Sequence, residues 1–541
     1  MVNRIVIMLV LLLVAGTSGE MMAQQKKMSV TKVSKQYAKY VKDKAQGKEK
    51  KAQKSSSDPA TVTRELGDTL ITEEPQDPMR ATYESFKQQA TIDYENFRDK
   101  ANQDYAEFVK KTWQEFKAMP PIPRPVEKEK PPIVIKEEEL KKPIEDNPLP
   151  IDEEIVTLPS PKPQPVPVAP IREQPVEQDA VTFSVYGTSM RIRFSDSQRF
   201  TLKDCSENSI SDAWKKLSGK DYNNTIRDCL ELRITKNLSD WAYLQMIGRF
   251  AKACLGEGNA ATLLMAYIYC QSGYRMRLGT TQGKLFMLYA TEHVVYYHYY
   301  FTIGSERYYV FNSDELSMKI CDISFPKEQS MSLYISQDQK FDYIASEERH
   351  LKSKRYPDMD ITSQVNKNLI AFCNEYPSSS IWDNVMTRWA MLANTPMEKE
   401  VQDKMYPQLR EKIKGLGEKE AMERLLNWVQ TSLIYEYDEK VWGHDRPFFA
   451  EESLYYPYCD CEDRSILISR LVRDLLGLKT ILIYYPGHLA MAVCFTEEVK
   501  GDYILLNGNK FVVCDPTYIG ARVGMTMPDM DNATAKVILL D

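Results

Sequence analysis

Beyond its first twenty residues the sequence lacks an apolar run of the ~18 residues that a membrane-spanning helix needs. It also lacks a dense block of lysine and arginine, and its net charge of −6 is small for 541 residues. Proteins that bind nucleic acid through its phosphates usually carry such basic blocks. These two absences predict a mature chain with no transmembrane span and no nucleic-acid partner.

Histidine is scarce, with five residues, and the ten cysteines include a single close pair, Cys459 and Cys461. Structural zinc sites generally need four ligands. No second cysteine pair or histidine cluster completes such a set, so no metal site is expected. All cysteines lie between Cys205 and Cys514, in a region rich in core residues, which argues against a small disulfide scaffold. A reversible disulfide between Cys459 and Cys461 remains open.

The N-terminus has the layout of an export signal. Arg4 supplies positive charge, Ile5 to Ala15 are almost wholly apolar, and residues 16–19 are small or polar. We expect residues 1–23 to be removed as a signal peptide. The protein is therefore expected to be periplasmic, displayed at the cell surface or secreted, with an uncleaved anchor as the alternative.

Residues 24–117 are expected to form a polar tail followed by a long helix. Lysine, serine and glutamine dominate up to about residue 76, which favours little stable structure. Further on, aromatic residues recur every eleven positions, which is three helical turns and places them on one stripe. The helix should self-associate as a coiled coil or pack on another domain. The repeating residues are Tyr83, Tyr94, Tyr105 and Phe116, with Phe86, Phe97 and Phe108.

Proline dominates the next segment, since residues 118–178 contain 16 of the 29 prolines. Proline lacks the backbone donor that helices and sheets need. This composition predicts an extended, semi-rigid linker that holds the C-terminal region away from the N-terminal helix. A docking site for a proline-recognition module is the alternative.

From residue 179 onward the composition is that of folded domains, and a helix followed by antiparallel strands occurs twice. The first series begins with the helical pattern at 259–271, and the second with that at 462–476. This order predicts an α+β fold. We place one domain at 179–357 and another at 358–541.

Three residues of the second series form a candidate catalytic site. Cys461 stands at or beside the N-terminus of the second helix, where unpaired N–H groups stabilise a thiolate and lower the pKa of the thiol. His488 follows a Pro-Gly turn and opens an apolar strand, and Asp515 ends the next major strand. In that arrangement His488 acts as a base, and Asp515 accepts the imidazole N–H.

This pattern resembles the Cys, His, Asp signature of the transglutaminase-like superfamily, over about residues 421–517. The segments that carry the resemblance are Asp460-Cys461-Glu462-Asp463, a leucine-rich helix ending at Leu476-Gly477, Gly487-His488, and Cys514-Asp515-Pro516-Thr517. The resemblance implies a papain-related α+β fold with no metal or organic cofactor.

The resemblance also implies roles for individual residues. Cys461 would attack an amide carbonyl of a peptide or protein substrate, His488 would activate the thiol and protonate the leaving amine, and Asp515 would orient His488. The oxyanion hole would use the Cys461 N–H and one upstream donor, for which Trp442 and Tyr458 are candidates.

An earlier segment resembles an altered copy of the same domain. Aligning Leu263 with Leu467 puts Glu257 where Cys461 stands. Glu292-His293 then resembles Gly487-His488, and Asn312 corresponds to Asp515. We therefore expect residues 179–357 to form a degenerate copy that is inert as a thiol enzyme. Its aromatic strand at 296–300 should pack between the copies or line a binding face.

The leading functional hypothesis is an exported cysteine enzyme that cleaves or transfers amide bonds, with hydrolysis favoured over cross-linking. The alternative is a non-catalytic binding or scaffold protein at the cell surface. In that case the aromatic helix and the proline-rich segment would be the functional parts, and both copies would serve as adhesive domains.

Overall fold

The computed structural model describes residues 78–125, 128–150 and 155–541. The expected signal peptide and most of the expected polar tail lie outside the described residues, as do the aromatic side chains of Tyr83 and Phe86. Residues from Pro78 to Asp541 cluster into one unit. Among the described residues, no helix has both the length and the apolar character required to cross a bilayer.

The described chain is a mixed α+β protein, as the sequence predicted. Its helices are α1 Pro78–Val109, α2 Glu137–Leu140, α3 Glu207–Leu217, α4 Asn223–Thr235, α5 Asp240–Leu255, α6 Asn259–Gln271, α7 Lys367–Glu375, α8 Thr387–Asn394, α9 Lys399–Ile413, α10 Glu418–Ser432, α11 Asp438–Trp442, α12 Ala450–Tyr455 and α13 Cys461–Leu476.

Strands β1 to β12 lie in the first part of the chain. They are β1 Trp113–Lys117, β2 Ile133–Val134, β3 Asn147–Pro148, β4 Ile155–Val156, β5 Ala180–Val185, β6 Thr188–Arg193, β7 Met276–Thr281, β8 Lys284–Ala290, β9 His293–Val295, β10 Tyr300–Ile303, β11 Glu306–Val310 and β12 Ser317–Cys321. The remaining strands are β13 Arg349–Lys352, β14 Asp360–Ser363, β15 Ser379–Ile381, β16 Ile434–Tyr435, β17 Tyr458–Cys459, β18 Lys479–Tyr485, β19 His488–Cys494, β20 Asp502–Leu506, β21 Asn509–Val513, β22 Tyr518–Ile519 and β23 Lys536–Leu539.

Two large sheets share one strand order. In the N-terminal sheet the order is β10-β11-β8-β7-β12-β1, and in the C-terminal sheet it is β20-β21-β19-β18-β23-β4, with β3 added beyond β20. A buried helix packs on the central strands of each sheet. Helix α6 packs on β7 and β8, and helix α13 packs on β18 and β19. The two halves of the chain therefore repeat one arrangement of helix and strands.

The central strands of the C-terminal sheet are buried on both faces. Leu482 and Met491 belong to the main core on the side of α13, whereas Ile481 and Ile483 belong to a second cluster that includes Leu149. A strand covered on both faces has apolar residues in succession and not in alternation. This explains the nearly continuous apolar sequences of β18 and β19.

Helix α1 ends earlier than the aromatic repeat predicted. The helix stops at Val109, and Phe116 lies in β1, which pairs with β12. The Thr112 hydroxyl bonds to the Phe108 carbonyl at 2.7 Å and so satisfies a group at the helix end. Upstream, Tyr105 is buried and stacks on Trp214 of α3, with ring centroids 4.4 Å apart. Helix α1 thus packs on its own chain, and self-association stays a prediction.

The proline-rich residues 118–178, called the belt below, do not hold the sheets apart. Met119 bridges to Tyr300 beside the N-terminal sheet, and strands β3 and β4 of the belt extend the C-terminal sheet. The belt then returns to the N-terminal half, where the Pro165 carbonyl accepts a hydrogen bond from Arg233 at 2.9 Å. The prolines favour an extended chain, but carbonyls and the remaining N–H groups still pair with sheet edges. The belt is therefore a packed element and not a spacer.

Candidate active site

Cys461 is the first residue of α13, where the sequence placed it. The preceding residue, Asp460, caps the helix by accepting hydrogen bonds from the N–H groups of Glu462 and Asp463, at 3.1 and 3.3 Å. The Asp463 carboxylate in turn accepts a hydrogen bond from the Asp460 N–H at 3.2 Å. This reciprocal capping box fixes the start of the helix and hence the position of the thiol.

His488 and Asp515 form a buried pair. The imidazole Nε2 and the Asp515 Oδ2 are 2.9 Å apart. The other carboxylate oxygen of Asp515 accepts hydrogen bonds from the N–H groups of Thr517 and Tyr518, at 2.8 and 3.2 Å. With Nε2 donating to Asp515, the His488 Nδ1 keeps a free lone pair, and this buried atom has no hydrogen-bond partner.

Cys461 lies beside this pair. The backbone N–H of Leu489, the residue after His488, lies close enough to the Cys461 thiol to lower its pKa, although larger effects raise that pKa. Cys461 and His488 also line one small cavity of about 60 Å³, together with Trp389 and Glu129. The structure therefore brings the three residues chosen from sequence into one place, with the free imidazole nitrogen available on the side away from Asp515.

The thiol itself is not activated in the way the sequence suggested. Burial raises the pKa of Cys461 well above its ordinary value, and the charges of Asp460, Glu462 and Glu129 raise it further. The helix N-terminus does not offset this, because the Asp460 carboxylate already occupies the N–H groups of Glu462 and Asp463. The expectation of a lowered pKa is thus wrong for this conformation.

Carboxylates crowd the surroundings of the site. Burial raises the pKa of Glu129 to about 7 and that of Asp438 to about 8. Arg388 is buried as well, and its guanidinium lies 3.0 Å from the Asp445 carboxylate and 3.6 Å from that of Glu462. The guanidiniums of Arg388 and Arg124 face a larger number of acids, so part of the acid cluster is protonated near neutral pH.

Two sets of three carboxylates in this cluster have the spacing of cation ligands, with their oxygens within 4.8 Å of one another. The sets are Asp438, Asp460 and Asp463, and Asp438, Asp445 and Glu462. Backbone donors already bind several of these oxygens, as in the 2.8 Å bond from the Phe448 N–H to Asp463. These bonds account for the packing of the first set.

A buried carboxyl outside this cluster, that of Glu451 of α12, predicts a pH-dependent stability. Burial raises the pKa of Glu451 to about 7, so the folded carboxyl keeps its proton where the unfolded one has lost it. Stability contributed by such a group is complete below the unfolded pKa and declines as pH rises through the folded pKa. We expect Glu451→Gln to be more stable than wild type by up to about 3 kcal/mol at pH 8, and by little at pH 5.

Urea unfolding at the two pH values measures this difference. The exposed Glu420 of α10 supplies the matched control, because Glu420→Gln removes a carboxylate without removing a buried one. A Glu451→Gln gain that is equal at pH 5 and pH 8 would contradict the linkage.

Neither expected oxyanion donor reaches the cavity. Trp442 packs against Phe448 and Tyr456, and Tyr458 is partly exposed in the short strand β17. The indole that does line the cavity belongs to Trp389, whose Nε1 donates to Glu462 at 2.9 Å. Sequence separation hid this residue, since α8 lies far ahead of the nucleophile in the chain.

Two residues that sequence reasoning gave no role hold the Asp515 loop. Gln430 donates its side-chain N–H to the carbonyls of Asp515 and Tyr518, at 3.0 and 2.9 Å. Arg464 is fully buried, and its guanidinium donates to the carbonyls of Leu433 and Pro516, at 2.8 and 3.4 Å. An arginine one turn into a capped helix was visible in the sequence, but its partners lie in loops that no spacing rule identifies.

All ten cysteines are free thiols in the structure. The Cys459 sulfur contacts the carbonyl of Ile434 at 3.8 Å and not the sulfur of Cys461. Cys459 lies in β17, which pairs with β16, so its side chain is oriented by that strand pair.

The N-terminal sheet has counterparts of the site residues, but with different side chains. Asn259 is the first residue of α6, and its Oδ1 accepts a hydrogen bond from the Leu285 N–H at 3.0 Å. Leu285 is the second residue of β8, as Leu489 is the second residue of β19. Lys284 is the first residue of β8, as His488 is of β19.

The third counterpart is Asn312, which follows β11 by two residues as Asp515 follows β21. The residues just before them, Phe311 and Cys514, both donate their N–H to the neighbouring strand, at 2.9 and 2.8 Å. Asparagine, lysine and asparagine thus occupy the positions of cysteine, histidine and aspartate. The N-terminal positions hold neither a thiol nor an imidazole.

The sequence alignment had chosen Glu257 and His293 for the first two positions, and the structure corrects both. Glu257 precedes α6, is exposed and pairs with Lys252 at 3.1 Å. His293 is buried in β9, where its Nε2 accepts a hydrogen bond from the Leu333 N–H at 3.2 Å, and burial lowers its pKa to about 3. Helix α6 has 13 residues and α13 has 16, so an alignment on leucines misplaced the helix start.

Comparison of the chain with protein-family models, with curated proteins and with solved structures gave no match. Its own residues must therefore carry the functional argument.

Proposed function

We propose that the chain is an exported cysteine enzyme of transglutaminase-like type, built from two transglutaminase-like domains, which cleaves or transfers amide bonds of peptides or proteins. The observation that carries the proposal is the orientation of His488. Its Nε2 is engaged by Asp515, its Nδ1 has no hydrogen-bond partner, and His488 lines a cavity that Cys461 also lines. A thiol, an oriented imidazole and a carboxylate together suffice for acyl transfer through a covalent intermediate.

The proposed reaction has two halves. His488 Nδ1 takes the proton of the Cys461 thiol, the sulfur attacks the amide carbonyl, and the imidazolium returns that proton to the departing amine. A thioester then joins the acyl group to Cys461. His488 removes a proton from water, the hydroxyl attacks the thioester, and the carboxylic acid leaves as the thiol is restored. If an amine replaces water, the same half-reaction forms a new amide.

The second candidate is a binding or scaffold protein without turnover. Two observations favour it: Cys461 and His488 are both almost fully buried, and the equivalent positions of the N-terminal sheet carry no thiol or imidazole. The two candidates differ in one measurable respect, because only the enzyme requires the sulfur of Cys461.

The test compares wild type, Cys461→Ala and His488→Ala on fluorescently labelled casein, with dansylcadaverine as an amine acceptor in parallel reactions. We expect each substitution to lower the rate of peptide release or amine incorporation by about 10³-fold or more. Cys494→Ala is the matched control, since it removes a half-buried thiol at the other end of β19. Turnover that survives in Cys461→Ala would refute the enzyme hypothesis.

A further inference from the structure

Belt residues on both sides of positions 126–127 cover the catalytic pocket. Pro125 and Glu129 line the same 60 Å³ cavity as Cys461 and His488. That volume holds about four water molecules and no residue of a substrate. Cys461 and His488 are 3% and 2% exposed, so neither can meet a polypeptide while the belt is in place.

Backbone contacts hold the belt against the strand that carries the catalytic histidine. The Lys130 N–H donates to the carbonyl of Gly487, the residue before His488, at 2.8 Å. A side chain at Gly487 would place its Cβ 2.3 Å from the Lys128 carbonyl oxygen, so only glycine permits this approach. Main-chain hydrogen bonds of this kind are how binding sites hold extended peptides regardless of sequence.

A second contact holds the belt on the other side of the pocket. Arg124 is buried, and its Nε lies 2.7 Å from the carboxylate of Asp445. Arg124 also donates to the carbonyl of Asp445. Because Asp445 pairs with Arg388 as well, the belt shares a buried charge network with the wall of the pocket.

The path of the belt continues into a much larger cavity of about 880 Å³. Arg124, Arg388 and Asp445 line this cavity, and the latter two also line the catalytic pocket. Its aromatic wall includes Tyr296 and Tyr297, and the Tyr297 N–H donates to the belt carbonyl of Ile122 at 3.0 Å. The two cavities therefore share Arg388 and Asp445 in their walls, and the consecutive belt residues Arg124 and Pro125 line one cavity each.

We propose that residues 124–125 and 128–130 occupy the substrate-binding groove of Cys461, so that the substrate is an extended polypeptide that must displace the belt, and wild-type turnover is slower than turnover with the belt loosened. The inference rests on the proposed function in one respect, because only an enzyme has a substrate. The cover itself rests on the contacts of Arg124 and Lys130 alone.

The chain's free cysteines supply the test. Arg124→Ala removes the bonds to Asp445, and Lys130→Pro removes the N–H that binds Gly487. Each variant and wild type are treated with iodoacetamide at pH 7.5, and labelling of each cysteine is followed by peptide mass spectrometry. We expect Cys461 to react at least about tenfold faster in both variants, while fully buried Cys514 stays unreactive. Lys510→Ala, which breaks a belt contact to Asp146 at the outer part of the sheet, should leave Cys461 protected.

A synthetic peptide of residues 121–132, added to Arg124→Ala, should restore slow labelling of Cys461, whereas a scrambled peptide should not. Unchanged labelling of Cys461 in both variants overturns the proposal. Parallel acceleration of Cys461 and Cys514 in both overturns it too, because the belt would then hold the domain together without covering the pocket. Fast, selective labelling without casein hydrolysis would refute the proposed function and leave the cover standing.

Discussion

An Asp515→Ala protein is expected to unfold at a clearly lower urea concentration than an Asp515→Asn protein, although neither keeps the carboxylate that faces His488. Asparagine retains an oxygen that accepts hydrogen bonds from the N–H groups of Thr517 and Tyr518. In the wild type these groups donate to Asp515 Oδ1. Alanine leaves both buried donors and the His488 Nε2–H without partners. Each unsatisfied buried group costs about 1–3 kcal/mol, so alanine should be less stable than asparagine by about 3 kcal/mol.

The Asp515→Asn protein should nevertheless change the tautomer of His488. With the amide oxygen kept by the backbone donors, the amide nitrogen faces Nε2, and the imidazole proton must move to Nδ1. Ring ¹⁵N chemical shifts report this tautomer directly, and the chain has only five histidines to assign. Equal urea midpoints for the two variants, or an unchanged His488 tautomer in Asp515→Asn, would contradict the roles assigned to the two oxygens.

Replacing Arg464 should have an effect of similar size for a different reason. Its guanidinium donates to the carbonyls of Gln430, Leu433 and Pro516 and lies over the Tyr435 ring, 5.3 Å from the ring centre. Arg464→Ala leaves these carbonyls unpaired and opens a cavity, so we expect a loss of about 3–5 kcal/mol in the free energy of unfolding. Guanidinium denaturation measures this loss.

Arg464→Lys separates charge from geometry. A lysine keeps the charge but cannot reach carbonyls in several directions as the planar guanidinium does. We therefore expect Arg464→Lys to keep most of the loss in the free energy of unfolding, at least about 2 kcal/mol. The exposed Arg191 of β6 supplies the control, because Arg191→Ala should change stability by only about 0.5 kcal/mol or less. A lysine variant as stable as wild type would show that charge alone matters at position 464.

The C-terminal sheet shows how far sequence could predict this fold. Apolar runs on either side of Pro486-Gly487 indicated the hairpin of β18 and β19, because turn residues and strand periodicity are local properties. The edge strands β3 and β4 were not predictable in the same way. They contain two residues each and come from a segment whose prolines suggested a spacer. Their pairing depends on strands that lie hundreds of residues later in the sequence.

The same distinction between local and tertiary features applies to the candidate site. The helix start at Cys461 and the strand start at His488 follow from local signals, and the structure places both residues there. The environment of the thiol does not follow from them. The contribution of Glu129 and the role of Lys284 as counterpart of His488 both depend on tertiary packing, which spacing alone does not encode.

The belt has a consequence for how the chain folds during synthesis. Phe116 of β1, just before the belt, pairs with Met318, and Val156 of β4 in the belt pairs with Ile538, so an edge strand of each sheet is synthesised long before the strand with which it pairs. Such long-range pairing slows folding and leaves strand edges unpaired in the meantime. Prolines next to those strands lack the N–H that another chain would need for pairing. The composition that keeps the belt extended in the folded protein therefore also protects the nascent chain from aggregation while it waits for its partner strands.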